Sequence, residues 1–581
     1  MIYKTIDDTE IVSSVVSILN ASNDKRIVPK QSWDKLWQQY MGQIDWGDKE
    51  DWQAKIPLPK IWVGVERIAG TVRRALIKGD DWFKVEPRVI RTPDDVMYAQ
   101  VAQKLLQWWL MKSADLVTNL TDCFKSSLLS SLLCMLIDMA QRKRVVVSPN
   151  SANPRLPGNK IINEMMLETK SINPENVYID ASGRGRFLIV EEFIDKSDLQ
   201  QISGKGQWKN IDAAMADGDS GVGSVEGSAI EGRAETGTRK EARLTYYWGD
   251  LWNSSGELIG ESVMVILYNR KYVIFGVEDI PYWDAEPPVV VEPFIRVPFS
   301  VYHMPFFAPS APIVTAMQEI LNLIIDGGML SSLPNLVMDT SRIDARQADD
   351  GIYPLKIWKA EGGFKTDSPG IAPVNLGGIR PEAIQVLYLL EQGYGEFSSM
   401  TEFEAGLPSR RSRSTVGERQ LSLQQTEGFT TDLISSVEDR FMVKILQKAW
   451  NRIIQFQPDV PGEIAPNIES ILGKEHAATW EKIRSNDYSA FGLDYVFKVF
   501  GISRYLTNMQ RAETIMGVIR IMSRSPEMMY LVQSTMPKLM AELFMCLDID
   551  IGPIQAPTTP LPLRPSYISQ QTAEQPPGEE M

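Results

Sequence analysis

The chain has 581 residues, enough for several packed units, and its 44% hydrophobic and 23% charged residues exclude a largely disordered polypeptide. Lys and Arg number 60 against 74 Asp and Glu, a formal net charge of −14. That balance excludes a binder that grips DNA by wholesale phosphate neutralisation, but not a conduit past which a polymer slides. Three cysteines (Cys123, Cys134, Cys546) without a CxxC pair exclude a disulfide framework and a cysteine zinc site, and read as buried thiols. Two histidines, His303 and His476, exclude a histidine-rich metal centre.

The polar, acidic start MIYKTIDDTEIVSS does not read as a signal peptide. Tryptophans crowd the next stretch (Trp33, Trp37, Trp46, Trp52, Trp62, Trp82). The spacing over 61–78 predicts a helix with Val65, Ile68, Val72, Ala75 and Leu76 as its buried stripe, and DWFKVEP then turns into a strand. From Asp95 to Arg144 the pattern is nearly continuously helical, with breaks near Ser113 and Thr121. Arg142, Lys143 and Arg144 close the last helix, where cations suit the macrodipole. The most lipid-like run, Ser126 to Ala140, is too short for a membrane span and carries Asp138. INPENVYIDASGRGRFLIVEEFI reads as two strands across a glycine turn, and Leu244 to Phe275 as an antiparallel meander with turns at Asn253–Gly256 and Asn269–Arg270. Between them, 218–237 is a Gly/Ser-rich loop.

Pro312 begins a helix with Ile313, Met317, Ile320, Leu321 and Ile324 on one face and Thr315, Gln318, Glu319, Asn322 and Asp326 on another. Turn residues and β-branched residues then alternate, and a second helix opens at Pro381 with Ala383, Leu387, Leu390, Tyr394 and Phe397 on one side. Gly393 and Gly395 weaken that helix, either to permit a bend or for packing reasons alone. The loop LPSRRSRST places Arg410, Arg411 and Arg413 among serines, facing phosphate or pairing with acids such as Glu402 and Glu404. A long helix over 416–457 spans roughly 60 Å at about 1.5 Å per residue. Its second half carries the stripe Ile434, Val437, Phe441, Ile445, Ala449 and Ile453. DYVFKVF is one more strand, two methionine-rich helices follow, and the tail from Gly552 is proline-rich without a core-forming pattern.

The chain holds no GxxxxGK[ST], HExxH or GxSxG pattern, and Gly221-Val222-Gly223 lacks the flanking strand and helix of a dinucleotide loop. The acidic pairs Glu191-Glu192 and Asp349-Asp350 point to opposite faces of a strand and read as surface solvation.

In this order, helix, small β module, weakened helix, basic loop and long helix, the chain resembles the tailed-phage portal protein (head-to-tail connector) family. The matching residues are Gln318 and Asn322 in the first helix, Pro334 after it, and Thr415 with Glu418 after the loop. Pro174, Val177, Tyr178, Ile179 and Asp180 resemble a passage of the portal wing. The resemblance implies an α+β subunit with a wing (1–308), first stem helix (309–332), clip (333–379), second stem helix (380–404), tunnel loop (405–415), lumen-side helix (416–457), crown (458–550) and tail (551–581). In this layout Gly393 and Gly395 form a stem hinge, and Arg410, Arg411 and Arg413 face DNA. It further implies a ring, typically dodecameric, at one vertex of a virion assembled in the host cytoplasm. Its partners are double-stranded DNA, the large terminase subunit, capsid and scaffolding proteins, and a head–tail adaptor. No membrane, metal, cofactor or catalytic residue is expected. The alternatives are another oligomeric virion component, such as a head–tail adaptor or internal scaffold, and a divergent nuclease.

Overall fold

The computed structural model describes residues 7–149, 157–195, 208–216, 241–349, 370–374, 380–397, 435–456, 471–485 and 495–499, apart from short gaps within those spans, together with Lys359 and a few positions between 512 and 543. In chain order the first elements are α1 (Asp8–Met41), α2 (Lys60–Lys78), β1 (Phe83–Pro87), α3 (Pro93–Trp108) running into a π-turn at Trp109–Ser113, and α4 (Leu116–Ser130). Next come β2 (Leu132–Pro149), β3 (Pro157–Ser171), β4 (Val177–Ile179), β5 (Phe187–Asp195), α5 (Ile211–Ala216), β6 (Glu241–Trp252), β7 (Leu258–Tyr268), β8 (Tyr272–Asp279) and β9 (Val289–Pro293). The remainder is α6 (Ala311–Ser332), β10 (Asn335–Met338), the single turn α7 (Arg346–Asp349), β11 (Ile371–Val374) and α8 (Pro381–Phe397). A π-turn at Glu438–Met442 then leads into α9 (Val443–Phe456), followed by α10 (Lys474–Ser485) and β12 (Tyr495–Val499).

The fold is mixed α+β with open sheets, ordered β4-β5-β6-β7-β8, β3-β2-β9, β1-β12 and β10-β11. Alternation along β5 and β6 sorts the large sheet's residues onto two faces. Ile189, Tyr247, Val265, Leu267 and Val273 pack under Ile11, Val15 and Leu19 of α1. Burying each of those three α1 side chains contributes about 1.5–3 kcal/mol. Leu188, Val190 and Trp248 on the opposite face meet Leu132, Cys134, Val289, Trp33 and Tyr302. Asn269 and Arg270, both at positive φ, make the β7–β8 turn, closed by Lys271 N–H on the Tyr268 carbonyl (2.9 Å). That is the primed turn whose twist suits a hairpin. At Gly249 the Arg186 carbonyl lies 2.2 Å from where a Cβ would stand, and φ is +129°, so only glycine fits.

Both strands expected across the glycine turn form and pair, Val177 with Val190 and Ile179 with Leu188. Asp180 caps that turn, accepting from Ser182 N (2.8 Å) and Arg186 N (3.2 Å). The meander and its turns, the β1 strand and the DYVFKVF strand also form. The last two pair with each other, Phe83 opposite Val499. Residues 1–502 cluster as one unit, and from Ser503 a second unit includes Ala512, Ile515 and Leu543 packed with Ile519.

Five expectations are corrected. The helical reading to Arg144 fails after Ser130: Ser131 at positive φ ends α4, and the chain continues as β2. Arg142, Lys143 and Arg144 therefore sit on a strand and do not serve a helix dipole. The break expected near Ser113 forms, at Ala114–Asp115, but the one expected near Thr121 does not, because α4 runs through it without interruption. Glu191 is no surface carboxylate. It is buried and held by Arg270 through two 2.7 Å bonds, with Tyr178 and Thr245 hydroxyls completing its shell, while Glu192 on the other face pairs with Lys170. Lastly, Ser126–Ala140 is not the most span-like segment: among the described residues one helical stretch, Ala311–Ser331, is long and apolar enough to cross a membrane by length and composition.

Candidate functional site

The two helices expected on either side of the small β module form as α6 and α8, and they pack on each other. Between them β10 and β11 pair antiparallel, Asn335 opposite Val374 and Met338 opposite Ile371. Leu58 bonds Gln318 near the start of α6, and Lys60 accepts from Tyr394 Oη (2.9 Å) near the end of α8. The start of one helix thus lies beside the end of the other, so the pair is antiparallel. Lys60 also binds Glu391 across the same junction at 2.7 Å.

Spacing separates α6 into an apolar and a polar face, and within the chain the row Gln318, Asn322 and Asp326 of the polar face is buried while Thr315 and Glu319 beside it are exposed. Val314, Met317, Gln318, Asn322 and Asp326 are buried, whereas Ile313, Ile320, Leu321 and Ile324 are half-buried and Leu323 is 65% exposed. The reason is an extended segment lying along the helix. Asp326 Oδ1 accepts from Ala54 N (2.6 Å), Asn322 Oδ1 from Ile56 N (3.1 Å) and Gln318 Oε1 from Leu58 N (3.1 Å), while Asn322 Nδ2 donates to the Ile56 carbonyl (3.4 Å). Residues four apart on a helix rise about 6 Å, and alternate residues of an extended chain about 6.6 Å, so the two rows stay in step for three rungs. Pro57 and Pro59, which have no N–H, fall between and beyond the rungs, where none is needed. Gln318 and Asn322, singled out by resemblance, are thus rungs of a ladder. Asp326 is the third rung, and the segment 54–58 is the element sequence reasoning missed.

Along α8 the stripe Ala383, Leu387, Leu390 and Tyr394 is the less exposed side, while Ile384, Val386, Tyr388 and Leu389 stand 40–68% exposed. The helix is continuous through Gly393 and Gly395, and a Cβ at either would meet nothing within 4 Å. Packing within the chain therefore does not require these glycines. Pro334 and Arg410, Arg411 and Arg413 lie outside the described residues, as do the loop 405–415, the first half of the 416–457 helix, most of the methionine-rich segment, the Gly/Ser-rich loop and the tail.

The described half of the long helix carries its expected stripe inward: Val437, Phe441, Ile445, Ala449 and Ile453 are buried. A second, polar row anchors α9 to β9 and the chain just before it. Lys444 binds Glu292 (2.5 Å), Lys448 binds Glu286 (2.7 Å), Arg452 meets Asp284 (3.3 Å), and Gln455 Nε2 donates to the Pro281 carbonyl (2.8 Å). Arg452 is fully buried, 3.5 Å from the centre of the Tyr282 ring, and Tyr282 donates to Asp138 at 2.6 Å.

Burial pushes the Cys123 thiol up to about 12 and Cys134 well above the ordinary thiol range, so neither is a ready nucleophile. Burial lowers His303, whose Nδ1 is engaged with the Val297 backbone. Among the described residues no three His, Cys, Asp or Glu converge as a metal site. No protein-family model matches the chain, and no curated protein matches its sequence.

Proposed function

We propose that the chain is a portal-type subunit. Copies assemble as a ring at a capsid vertex, pass double-stranded DNA through the central channel, and offer docking surfaces to a packaging terminase and a tail adaptor. The observation that carries this reading is the pair α6 and α8. Two long antiparallel helices flank a small two-stranded module, yet leave Leu323, Tyr388 and Leu389 more than half exposed and Ile384 and Val386 partly so. Apolar surface in this arrangement on a monomer is a liability, and repetition around a closed ring covers it. The acidic balance of −14 suits a channel along which DNA slides without deep electrostatic wells. The subunit acts as a conduit and platform and catalyses no reaction.

The test is a Leu323→Glu, Leu389→Glu double variant. Both positions are exposed, so thermal stability of the monomer should change by no more than about 0.5 kcal/mol per site. Oligomer formation, followed by mass photometry, should be lost. A variant that assembles like the wild type would remove the helix pair from the interface and take the main support of the reading with it.

A further inference from the structure

The two edges of the large sheet differ in a way that a single copy does not use. At the β4 edge the loop after β9 closes the strand. Ile179 N–H donates to the Tyr302 hydroxyl (3.2 Å), and Val301 Cγ2 lies 3.7 Å from where a Gly183 Cβ would stand. Residues 297–300 of that loop form a turn, with Ser300 N–H on the Val297 carbonyl (3.3 Å). Pro298 holds its second position and Phe299 its third, at φ +64°. That is the type II arrangement, whose third position suits glycine because a side chain there strains the backbone. The turn is pinned from behind, by His303 Nδ1 against Val297 N–H (3.0 Å) and by Ser300 Oγ on the Tyr302 carbonyl (2.8 Å). Phe299 is nevertheless fully exposed. A strained backbone that holds a large aromatic ring in water serves neither the stability nor the solubility of one copy.

Charge divides the same end of the sheet. Phe187 opposite Gly249 and Gly249 opposite Val263 bring Arg186 to the end where β7 begins and β8 finishes. On the β4 side, the stretches 181–186 and 294–304 hold Arg184, Arg186 and Arg296, all exposed, and no acid. On the other side, β8 stops at Asp279 opposite Val263, and β7 starts five residues earlier at Leu258 with, among the described residues, no strand beside it there. The stretches 255–262 and 275–283 hold exposed Glu257, Leu258, Glu261, Glu278 and Asp279, and no Lys or Arg. We infer that the β4 edge of one copy docks on the β7–β8 edge of the next, with Phe299 seated against Leu258 and the arginines facing the acids. A second copy is the partner because the chain itself carries the complementary charge, at the same end of the same sheet. Joining opposite edges is a heterologous contact, and such contacts close into rings. The inference rests on the ring reading and names one of its contacts.

Three full-length variants test it, compared with the wild type by thermal melting and by mass photometry across concentration. The first is Phe299→Gly, the second Arg184→Glu with Arg296→Glu, and the third adds Glu261→Arg and Glu278→Arg to the second. Phe299→Gly should melt at or above the wild-type temperature, because the strain is relieved, while the dissociation midpoint of the oligomer rises at least about tenfold. The arginine variant should weaken assembly likewise, and the four-site variant should regain it, because both charges of each pair are then reversed. A Phe299→Gly chain that assembles like an oligomeric wild type, or that melts lower, would overturn the inference and leave the ring reading intact. A four-site variant that assembles no better than the arginine variant would also overturn it, since the arginines would then face some other surface. A monomeric wild type would remove the ring reading, and the inference with it.

Discussion

The ladder between α6 and residues 54–58 makes a sharp prediction about single amides. Asn322 is fully buried, accepts from Ile56 N–H and donates to Ile56 C=O, so Asn322→Leu keeps the volume while stranding both backbone polar groups of one residue. Leaving a buried polar group without a partner costs about 1–3 kcal/mol. The Ile56 side chain is 46% exposed, so water reaches this stretch and the cost belongs at the lower end, about 1–2 kcal/mol. Replacing all three rungs (Gln318→Leu, Asn322→Leu, Asp326→Leu) removes bonds worth about 0.5–1.5 kcal/mol each and should free the segment altogether. The assay is native-state hydrogen exchange. In the wild type the amides of Ala54, Ile56 and Leu58 should exchange slowly and that of Lys55 faster, and in the triple variant all should exchange at loop rates. Alternating protection that survives in the triple variant would refute the ladder as what holds the segment.

Gly393→Ala and Gly395→Ala should each stabilise α8 by about 0.5–1 kcal/mol, because the added methyl meets open space and glycine's backbone entropy is removed. If the pair is a hinge, the same variants should lower DNA packaging into heads; a stabilised subunit that packages normally would remove the hinge role. Glu191 is raised by burial but lowered on balance by Arg270, so its folded pKa lies below its unfolded value. Its stabilising contribution is therefore present above the unfolded pKa and lost as pH falls through the folded one. Glu191→Gln should cost about 3 kcal/mol at pH 7, the low end for breaking a buried pair because Arg270 retains some access to water, and the gap to wild type should narrow on acidification. A gap that widens with acid in urea unfolding would contradict the assignment. Replacing Arg410, Arg411 and Arg413 by alanine should leave ring yield unchanged, since exposed ion pairs contribute about 0–1 kcal/mol, and should reduce the DNA content of filled heads. Loss of rings would assign these arginines to the subunit interface instead.

Periodicity carried far where the chain packs on itself in regular layers. The meander, the hairpin around Asp180 and the buried stripe of α9 were legible because alternation or helical spacing matches their burial, and α2, α6 and α8 were legible from helical spacing alone. It failed where burial is polar or where two patterns abut. Helix α1 was not anticipated because its buried row passes through Ser14, Ser22 and Arg26, and Pro29 lies inside it. Two of those polar groups find partners far along the chain, Ser22 in the Ile179 carbonyl (2.8 Å) and Arg26 in the Val177 carbonyl (3.2 Å), which no local pattern reveals. Apart from Ser130 and Ser131, the run from Leu128 to Ile137 is apolar on every side, so helix and strand share one signature there, and only the positive φ at Ser131 divides them. Of the candidate site, the polar face of α6 was visible as a row of Gln318, Asn322 and Asp326. Its partner was not, because an extended segment bonded through its backbone leaves no side-chain signature.

The central claim is a ring with an axial channel, and electron microscopy of the purified full-length chain tests it most directly. Class averages viewed down the axis should show closed rings of identical subunits around a central opening wide enough for a DNA duplex. A population of monomers, or of closed compact oligomers lacking an axial opening, would contradict the account.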